Sequence, residues 1–133
     1  MAFKIKQKGL GYHTRLCTIA SATVIAAGDL VALTSGVVTK ANATSAAVGF
    51  APQGSANGEV LIEVTVGNDF TLTGTADANF AVTNKGTIVD ITAAQLIDLG
   101  ASAVDVLKVS IASDAGVVGS DEEVEVQINL PLF

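Results

Sequence analysis

Two residues whose side chains could carry out chemistry, His13 and Cys17, lie four positions apart, and each is the only one of its type. A Cys–His pair can form an activated nucleophile or half of a zinc site, provided that the two side chains meet. The neighbouring residues Thr14, Thr18 and Ile19 favour an extended chain, in which four residues span about 13 Å. We therefore expect a structural thiol and an exposed imidazole, with no catalytic residue and no metal site.

A second candidate is an acidic cluster near the C-terminus, because carboxylate oxygens are the ligands that Ca²⁺ prefers. The cluster does not have the alternating Asp/Asn spacing and closing Glu of an EF-hand loop. Part of it also belongs to an alternating strand pattern. We therefore predict a solvated turn beside a polar strand face. The cluster consists of Asp114, Asp121, Glu122, Glu123 and Glu125.

The composition argues against an enzyme. The chain of 133 residues is 50% hydrophobic but only 5% aromatic, with no Trp and one Tyr, Tyr12. Ligand pockets usually have aromatic walls, and the carboxylate pair of a glycosidase needs a cleft of that kind. The glycines are scattered at turns and form no phosphate-binding loop that ends in Lys-Ser/Thr. We expect a single domain that is not an enzyme and binds no cofactor.

Short β-strands are the elements predicted to position these residues. Val31 and Leu33 alternate with Ala and Thr, which is the period of a half-buried strand. Residues 60–66 form a longer alternating run. The turn signal Gly67-Asn68-Asp69 follows it and predicts a hairpin with a return strand over residues 70–75.

The last predicted strand, residues 123–130, has the cleanest alternation of apolar and polar residues in the chain. This period places one set of side chains in the core and the other in solvent. The inward set is Val124, Val126, Ile128 and Leu130, and the outward set is Glu123, Glu125, Gln127 and Asn129.

One helix is predicted, of one or two turns. Thr92-Ala93-Ala94-Gln95 has the form of a capping box, and Gly100 lies where a C-terminal cap is expected. With the strands, this pattern predicts an all-β fold: a small antiparallel β-barrel or sandwich with one short helix and an extended N-terminal arm.

Charge divides the chain into two parts. Residues 1–15 contain four of the seven Lys and Arg residues and no acid, so residues 16–133 have three bases, all 13 acids and a net charge of −10. We predict an extended basic arm over residues 1–15 and a single β-domain over residues 16–133. The acidic domain argues against a nucleic-acid partner, which needs a basic face. An acidic neighbour, either a sister subunit or another acidic protein surface, would suit the arm.

Neither a membrane span nor secretion is expected. No apolar run approaches 18 residues. The basic residues before Leu16 and the apolar segment that follows imitate a signal peptide, but Thr18, Ser21 and Thr23 interrupt that segment. The lone Cys17 allows no internal disulfide and fits a reducing compartment.

The segment Gly28–Ala51 carries a family resemblance. It contains GDLV, a Ser35-Gly36 turn, two valines, a loop of small residues and the run Val48-Gly49-Phe50-Ala51, and a strand follows over residues 58–66. This unit, over roughly residues 28–67, resembles the capsid decoration (cement) proteins of tailed bacteriophages.

The resemblance implies a structural protein that binds the outside of an assembled phage head and stabilises it by bridging capsid subunits. The implied partners are the phage major capsid protein and further copies of the chain, as a homotrimer. The implied location is the outer surface of the virion, after synthesis in the host cytoplasm. The alternative is a non-enzymatic adhesin or tail-associated module that recognises a carbohydrate or a cell surface.

The family has no fixed functional motif to transfer, so the predicted contact residues come from charge and apolarity alone. They lie in the basic N-terminal segment and at the apolar C-terminal end. They are Phe3, Lys4, Lys6, Lys8, Tyr12, Arg15, Leu132 and Phe133.

Overall fold

The structure is a computed structural model that describes residues 2–56, 59–112 and 118–132. Over these residues the chain forms short β-strands and one 3-10 turn, Val82–Asn84. The strands are β1 (Phe3–Lys8), β2 (His13–Thr18), β3 (Leu30–Thr34), β4 (Val37–Lys40), β5 (Gly49–Phe50), β6 (Leu61–Val66), β7 (Phe70–Gly74), β8 (Ile88–Ile91), β9 (Ile97–Asp98), β10 (Leu107–Val109) and β11 (Val124–Ile128).

The strands form two sheets. The six-stranded sheet has the order β1-β7-β11-β10-β8-β9, and the five-stranded sheet has the order β2-β6-β5-β3-β4. Every strand pair is antiparallel. The sheets pack face to face, which confirms the predicted all-β fold in its sandwich form.

The main core lies between the two sheets. Phenylalanine rings supply much of its volume, because each ring removes a large apolar area from water. Around these rings, aliphatic side chains from the inner faces of both sheets complete the layer. The largest buried members are Phe3, Phe50, Phe70, Phe80, Leu30, Leu72, Ile91, Ile97, Leu107 and Ile128.

A second core lies against the other face of the five-stranded sheet. Cys17, Val38, Ile62 and Val64 belong to it. An isolated bridge between Ile19 and Val38 brings the two edges of this sheet together at one end. Strand β3 contributes to both cores: Leu30 and Ala32 pack in the main core, and Val31 packs in the second core.

The chain passes between the sheets at a corner formed by two adjacent connections. One connection joins β1 to β2, and the other joins β6 to β7. The paired strands β1 and β7 of one sheet are therefore continuous with the paired strands β2 and β6 of the other. The Gly9 N–H donates to the Asp69 carbonyl at 2.8 Å, and the Gly11 N–H donates to the Asp69 carboxylate. A Cβ atom at Gly9 would collide with that carboxylate, so a larger residue there would displace the Asp69 side chain.

The hairpin predicted across Gly67-Asn68-Asp69 is therefore wrong. The turn residues are there, and Gly67 has a positive φ of 78°. However, β6 and β7 belong to different sheets, because each has a longer complementary partner elsewhere. β6 pairs with β2 from His13 to Thr18, and β7 pairs with β1 and β11.

The predicted helix over residues 92–100 is also wrong. The Thr92 Oγ1 accepts a hydrogen bond from the Leu96 N–H at 3.2 Å, but the turn closes a β8–β9 hairpin and starts no helix. Gln95 has a φ of 64°, which an α-helix does not allow. Tertiary contacts outweigh the local capping signal, because the Gln95 side chain is buried between the sheets and Ile97 is buried in the main core.

Candidate contact surface

The basic N-terminal segment forms one edge of each sheet, and β4 closes the end of the β2 edge at the bridge between Ile19 and Val38. β1 is the first strand of the six-stranded sheet, and β2 is the first strand of the five-stranded sheet. Because the corner joins them directly, both edges lie on the same side of the molecule. We call residues 3–18 the N-terminal edge. The predicted arm is extended, as expected, but over residues 3–8 and 13–15 it is paired within the domain.

Two of the predicted contact residues are structural. Phe3 is 0% exposed and packs in the main core, so its side chain is not available to a partner. Tyr12 is half-buried: its hydroxyl lies 3.3 Å from the Thr65 Oγ1, and its ring contacts the Phe70 ring edge-on at 5.8 Å. The basic residues around both rings had predicted a surface position for them, which is wrong for Phe3 and only partly right for Tyr12.

The cations of the edge differ in their surroundings. Lys4 is exposed on β1, and Arg15 is exposed on β2. The Lys6 Nζ lies 3.1 Å from the Glu125 Oε1, and the Lys8 Nζ lies 4.6 Å from the centre of the Tyr12 ring. Lys6 and Lys8 thus make contacts within the domain, whereas their backbone remains at its edge.

The C-terminal segment adds to the five-stranded sheet. The Val48 N–H donates to the Leu130 carbonyl at 2.9 Å, and the Leu132 N–H donates to the Val48 carbonyl at 3.1 Å. Leu132 is half-buried and packs against the second core of its own chain. This packing explains its apolarity without a partner. The other predicted terminal contact, Phe133, lies outside the described residues.

His13 and Cys17 both lie on β2, as predicted, opposite Val66 and Ile62 of β6. Burial raises the pKa of the Cys17 thiol, and the Arg15 charge offsets only part of this effect. The exposed His13 ring directs its Nδ1 toward the Gly11 carbonyl at 2.7 Å. The thiol is therefore buried and the imidazole is exposed, and the extended strand keeps the two side chains four residues apart.

The acidic cluster is divided in the structure. Glu122 and Glu123 are exposed, but Glu125, predicted to face solvent, is 5% exposed and paired with Lys6. Its strand, β11, pairs with β7 and β10, so side chains of both neighbouring strands flank Glu125; Val124, Val126 and Ile128 are buried as predicted. Asp114 lies outside the described residues. No group of three or more His, Cys, Asp or Glu side chains is placed to hold a metal ion within residues 2–56, 59–112 and 118–132.

Sequence analysis missed a buried carboxylate, Asp90 on β8. Its oxygens accept hydrogen bonds from three consecutive backbone N–H groups, those of Ala103, Val104 and Asp105, at 2.8–3.0 Å. Burial opposes ionisation, but these donors outweigh it and hold the pKa of the Asp90 carboxyl below its usual range. The carboxylate thus fixes the loop that leads into β10. The sequence signal, an acid inside an apolar strand, does not reveal distant donors.

We expect Asp90→Asn to lower the free energy of unfolding at pH 7, since an amide cannot accept all three N–H groups. The lowered pKa means that the stabilisation is complete above about pH 5, near the upper end of an ordinary Asp titration. It is lost as the pH falls through the lower, folded-state value. Denaturant titrations at pH 7 and pH 2.5 will therefore show a smaller difference between variant and parent at the acid end. Exposed Asp121→Asn is the control, and a difference independent of pH would contradict this role.

A second carboxyl was also missed. Burial raises the pKa of the Asp98 carboxyl, and the neighbouring Asp77 carboxyl raises it further through a shared hydrogen bond and charge repulsion. Asp77 also accepts a hydrogen bond from the Leu99 N–H at 3.1 Å. The pair joins the start of the loop after β7 to the short strand β9. The two carboxylates repel each other when both are ionised. This repulsion is removed when Asp98 takes up a proton, as the pH falls through its raised pKa.

The described part of the chain contains no helix that is long and apolar enough to cross a membrane.

The chain was compared with known proteins by sequence and by structure. No protein-family model matches it. No curated protein and no solved structure matches it either.

Proposed function

We propose that the protein is a structural capsid decoration protein that binds the outside of an assembled phage head. The similarity of residues 28–67 to cement proteins of tailed phages supports this proposal. The small β-sandwich is compatible with it, because such a domain can present a rigid edge to neighbouring capsid subunits. The partners would be the major capsid protein and further copies of the chain. We propose no catalytic activity.

The observation that carries the proposal is the N-terminal edge. It collects four of the seven Lys and Arg residues on one side of a domain whose remaining residues carry a net charge of −10. The same side presents the open backbone of two consecutive edge strands. Open strand edges and unbalanced charge are surfaces on which protein partners commonly dock.

Binding at this edge would stabilise a shell by repetition. Each copy needs only modest contacts, since a contact that spans two capsid subunits makes the second binding event intramolecular. The exposed side chains Leu10 and Leu16 lie along the same edge as Lys4 and Arg15. Apolar and basic groups together suit a capsid surface with acidic and apolar patches.

The test is co-sedimentation of purified protein with undecorated capsid shells at low and high salt. We expect saturable binding at a discrete stoichiometry that weakens with salt, because basic side chains contribute. The variant Lys4→Glu/Lys8→Glu will bind about tenfold more weakly, since each surface charge pair contributes up to about 1 kcal/mol. This variant leaves β2 unaltered.

Lys108→Glu is the matched control, because Lys108 is an exposed lysine on β10, away from the N-terminal edge. Equal loss of binding in this control would assign the effect to net charge and not to the edge. Absence of binding by the parent protein would overturn the decoration proposal. It would favour the adhesin alternative, which a glycan array then tests.

One observation weighs against the adhesin. Carbohydrate sites usually present aromatic rings to the sugar, and the rings of this chain that the structure describes are buried or half-buried. A surface depression of about 420 Å³ beside β3 and the loop between β4 and β5 is lined by small polar and aliphatic side chains, among them Asn42, Thr44 and Ser45. It offers hydroxyl and amide groups but no aromatic platform.

A further inference from the structure

A short segment around β9 connects the two sheets. We call residues 92–99 the strap. Two of its side chains point into the protein: Gln95 is 4% exposed and Ile97 is 0% exposed. Ile97 packs in the main core, while the Gln95 amide bonds to the backbone of Leu30 and Ala41. The strap therefore holds the β3–β4 hairpin of one sheet against β8 and β9 of the other.

The strap is also bonded to the chain that follows β7. The Ile97 N–H donates to the Thr75 carbonyl, and the Asp77 N–H donates to the Ile97 carbonyl, both at 2.9 Å. A parallel bridge between Ala76 and Ile97 results. The Leu99 N–H donates to the Asp77 Oδ1 at 3.1 Å, so the Asp77 carboxylate lies against the end of the strap. These bonds hold β9, which has only two residues, in place.

Three carboxyl groups meet at this attachment. Asp98 lies directly opposite Asp90 in the β8–β9 pairing, so the two side chains are on the same face of the sheet. Asp77 shares a hydrogen bond with Asp98. The charged groups that act on Asp98 are Asp77 and Asp90, and both are acidic. Ionised Asp98 therefore meets like charge from both neighbouring elements, and like charges directly opposite each other destabilise a sheet.

Asp90 and Asp98 titrate in different ranges. The N–H groups of residues 103–105 bind the Asp90 carboxylate and hold its pKa below the usual range, so it remains largely ionised above about pH 4. Burial and the Asp77 carboxyl raise the pKa of Asp98, and a backbone hydrogen bond at Gly100 offsets only part of this effect. A protonated Asp98 donates to the Asp77 carboxylate, which replaces repulsion by a hydrogen bond.

We propose that the strap holds the two sheets together more tightly when Asp98 is protonated than when it is ionised. Opening the strap separates Asp98 from Asp77 and Asp90, so the open form binds the proton less tightly than the closed form. The closed form is therefore favoured at acid pH. This advantage is lost as the pH rises from about 4 through the raised pKa of Asp98.

The consequence extends beyond β9. When the strap opens, Gln95 leaves the Leu30 and Ala41 backbone groups, so the β3–β4 hairpin loses its hydrogen-bond partner in the other sheet. A proton on one sheet thus controls an attachment of the other. This inference does not rest on the capsid proposal, because strap opening is measured on the purified protein without capsids.

The test is hydrogen exchange of single amides by NMR between about pH 4 and about pH 8, expressed as protection factors. The Ile97 N–H reports the bond to the chain after β7, and the Leu30 N–H reports the bond to Gln95. We expect both protection factors to fall several-fold in parallel as the pH rises, since one pKa unit is a tenfold change in equilibrium. The Val64 N–H, in the second core, should stay better protected throughout.

Two variants identify the groups responsible. Asp98→Asn imitates the protonated side chain, because its amide donates to Asp77 and carries no charge. At pH 7 it should protect the Leu30 and Ile97 amides several-fold more than the parent chain does, with no fall across the pH range. Asp77→Asn keeps an oxygen for the Leu99 N–H and should reduce the fall. Asp90 is present in the parent and in both variants, so its own titration cancels in the comparison.

Glu63→Gln is the matched control, because it also removes one negative charge but lies exposed on β6, in the other sheet. Its pH profile should equal that of the parent chain, and an equal gain in this control would assign the effect to net charge. A fall confined to Ile97, with Leu30 unchanged, would overturn the connection between the sheets. A parent profile independent of pH would overturn the proposal as a whole. Circular dichroism of each variant checks that it remains folded.

Discussion

Replacing Phe3 by alanine will lower the free energy of unfolding by about 3–5 kcal/mol, the usual cost of removing a fully buried aromatic ring. Phe3 is 0% exposed and belongs to the main core. Its ring packs directly over Gly74 on the paired strand β7, where any Cβ atom would collide with the ring. The space beneath the ring is thus filled by backbone, which relaxes little, so the variant retains most of the cavity.

Urea denaturation measures this change, and Lys4→Ala is its control, because Lys4 is exposed on the same strand. The control should change stability by no more than about 0.5 kcal/mol. A Phe3→Ala variant as stable as the control would show that β1 is dispensable. Removal of residues 2–15 should be still more damaging, since it deletes β1 and half of the β2–β6 ladder. A truncation of this kind therefore cannot separate attachment from folding.

Replacing Gln95 by alanine will lower the free energy of unfolding by about 2–4 kcal/mol, because it leaves buried backbone groups without partners. Gln95 is 4% exposed. Its Oε1 accepts from the Leu30 N–H at 2.7 Å, and its Nε2 donates to the Leu30 and Ala41 carbonyls, both at 3.2 Å. One amide from the six-stranded sheet thus bonds to backbone at both ends of the β3–β4 hairpin.

Two further variants locate the cause of this loss. Gln7→Ala removes an exposed glutamine from β1 and should change stability by no more than about 0.5 kcal/mol. Gln95→Gly also removes the amide but relaxes the positive φ, so it should be less destabilising than Gln95→Ala by about 1 kcal/mol. If both Gln95 variants were as stable as the parent chain, the amide would not be what joins the sheets here.

The strand pattern shows how far sequence reasoning extends. The alternation in β11 correctly places Val124, Val126 and Ile128 in the core, but Leu130, also predicted to face inward, is 39% exposed beyond the end of the strand. The same alternation fails for Glu125, which is buried beside Lys6. Period-2 patterning tells which residues share a face. It does not tell how many strands cover that face, because coverage depends on which strands pair.

The predicted contact residues differ in their exposure. The basic segment and its extended conformation follow from residue types, and these led to Lys4 and Arg15, which are exposed. Phe3 was predicted to lie at the surface because the segment around it is basic, and Leu132 because the C-terminal end is apolar. In the structure Phe3 is buried in the main core, and Leu132, half-buried, packs against the second core.

By itself, the sequence determined the all-β class, the positions of β3, β6, β7 and β11, several turn residues and the separation of basic and acidic charge. These properties follow from local stereochemistry and composition, which act over a few residues. The tertiary structure alone decided that Gly67-Asn68-Asp69 is a corner between sheets, that Gln95 joins those sheets and that residues 3–8 are an edge strand. The reason is physical: strand pairing and burial are long-range contacts, and their free energy exceeds the small preference of a capping box or a turn.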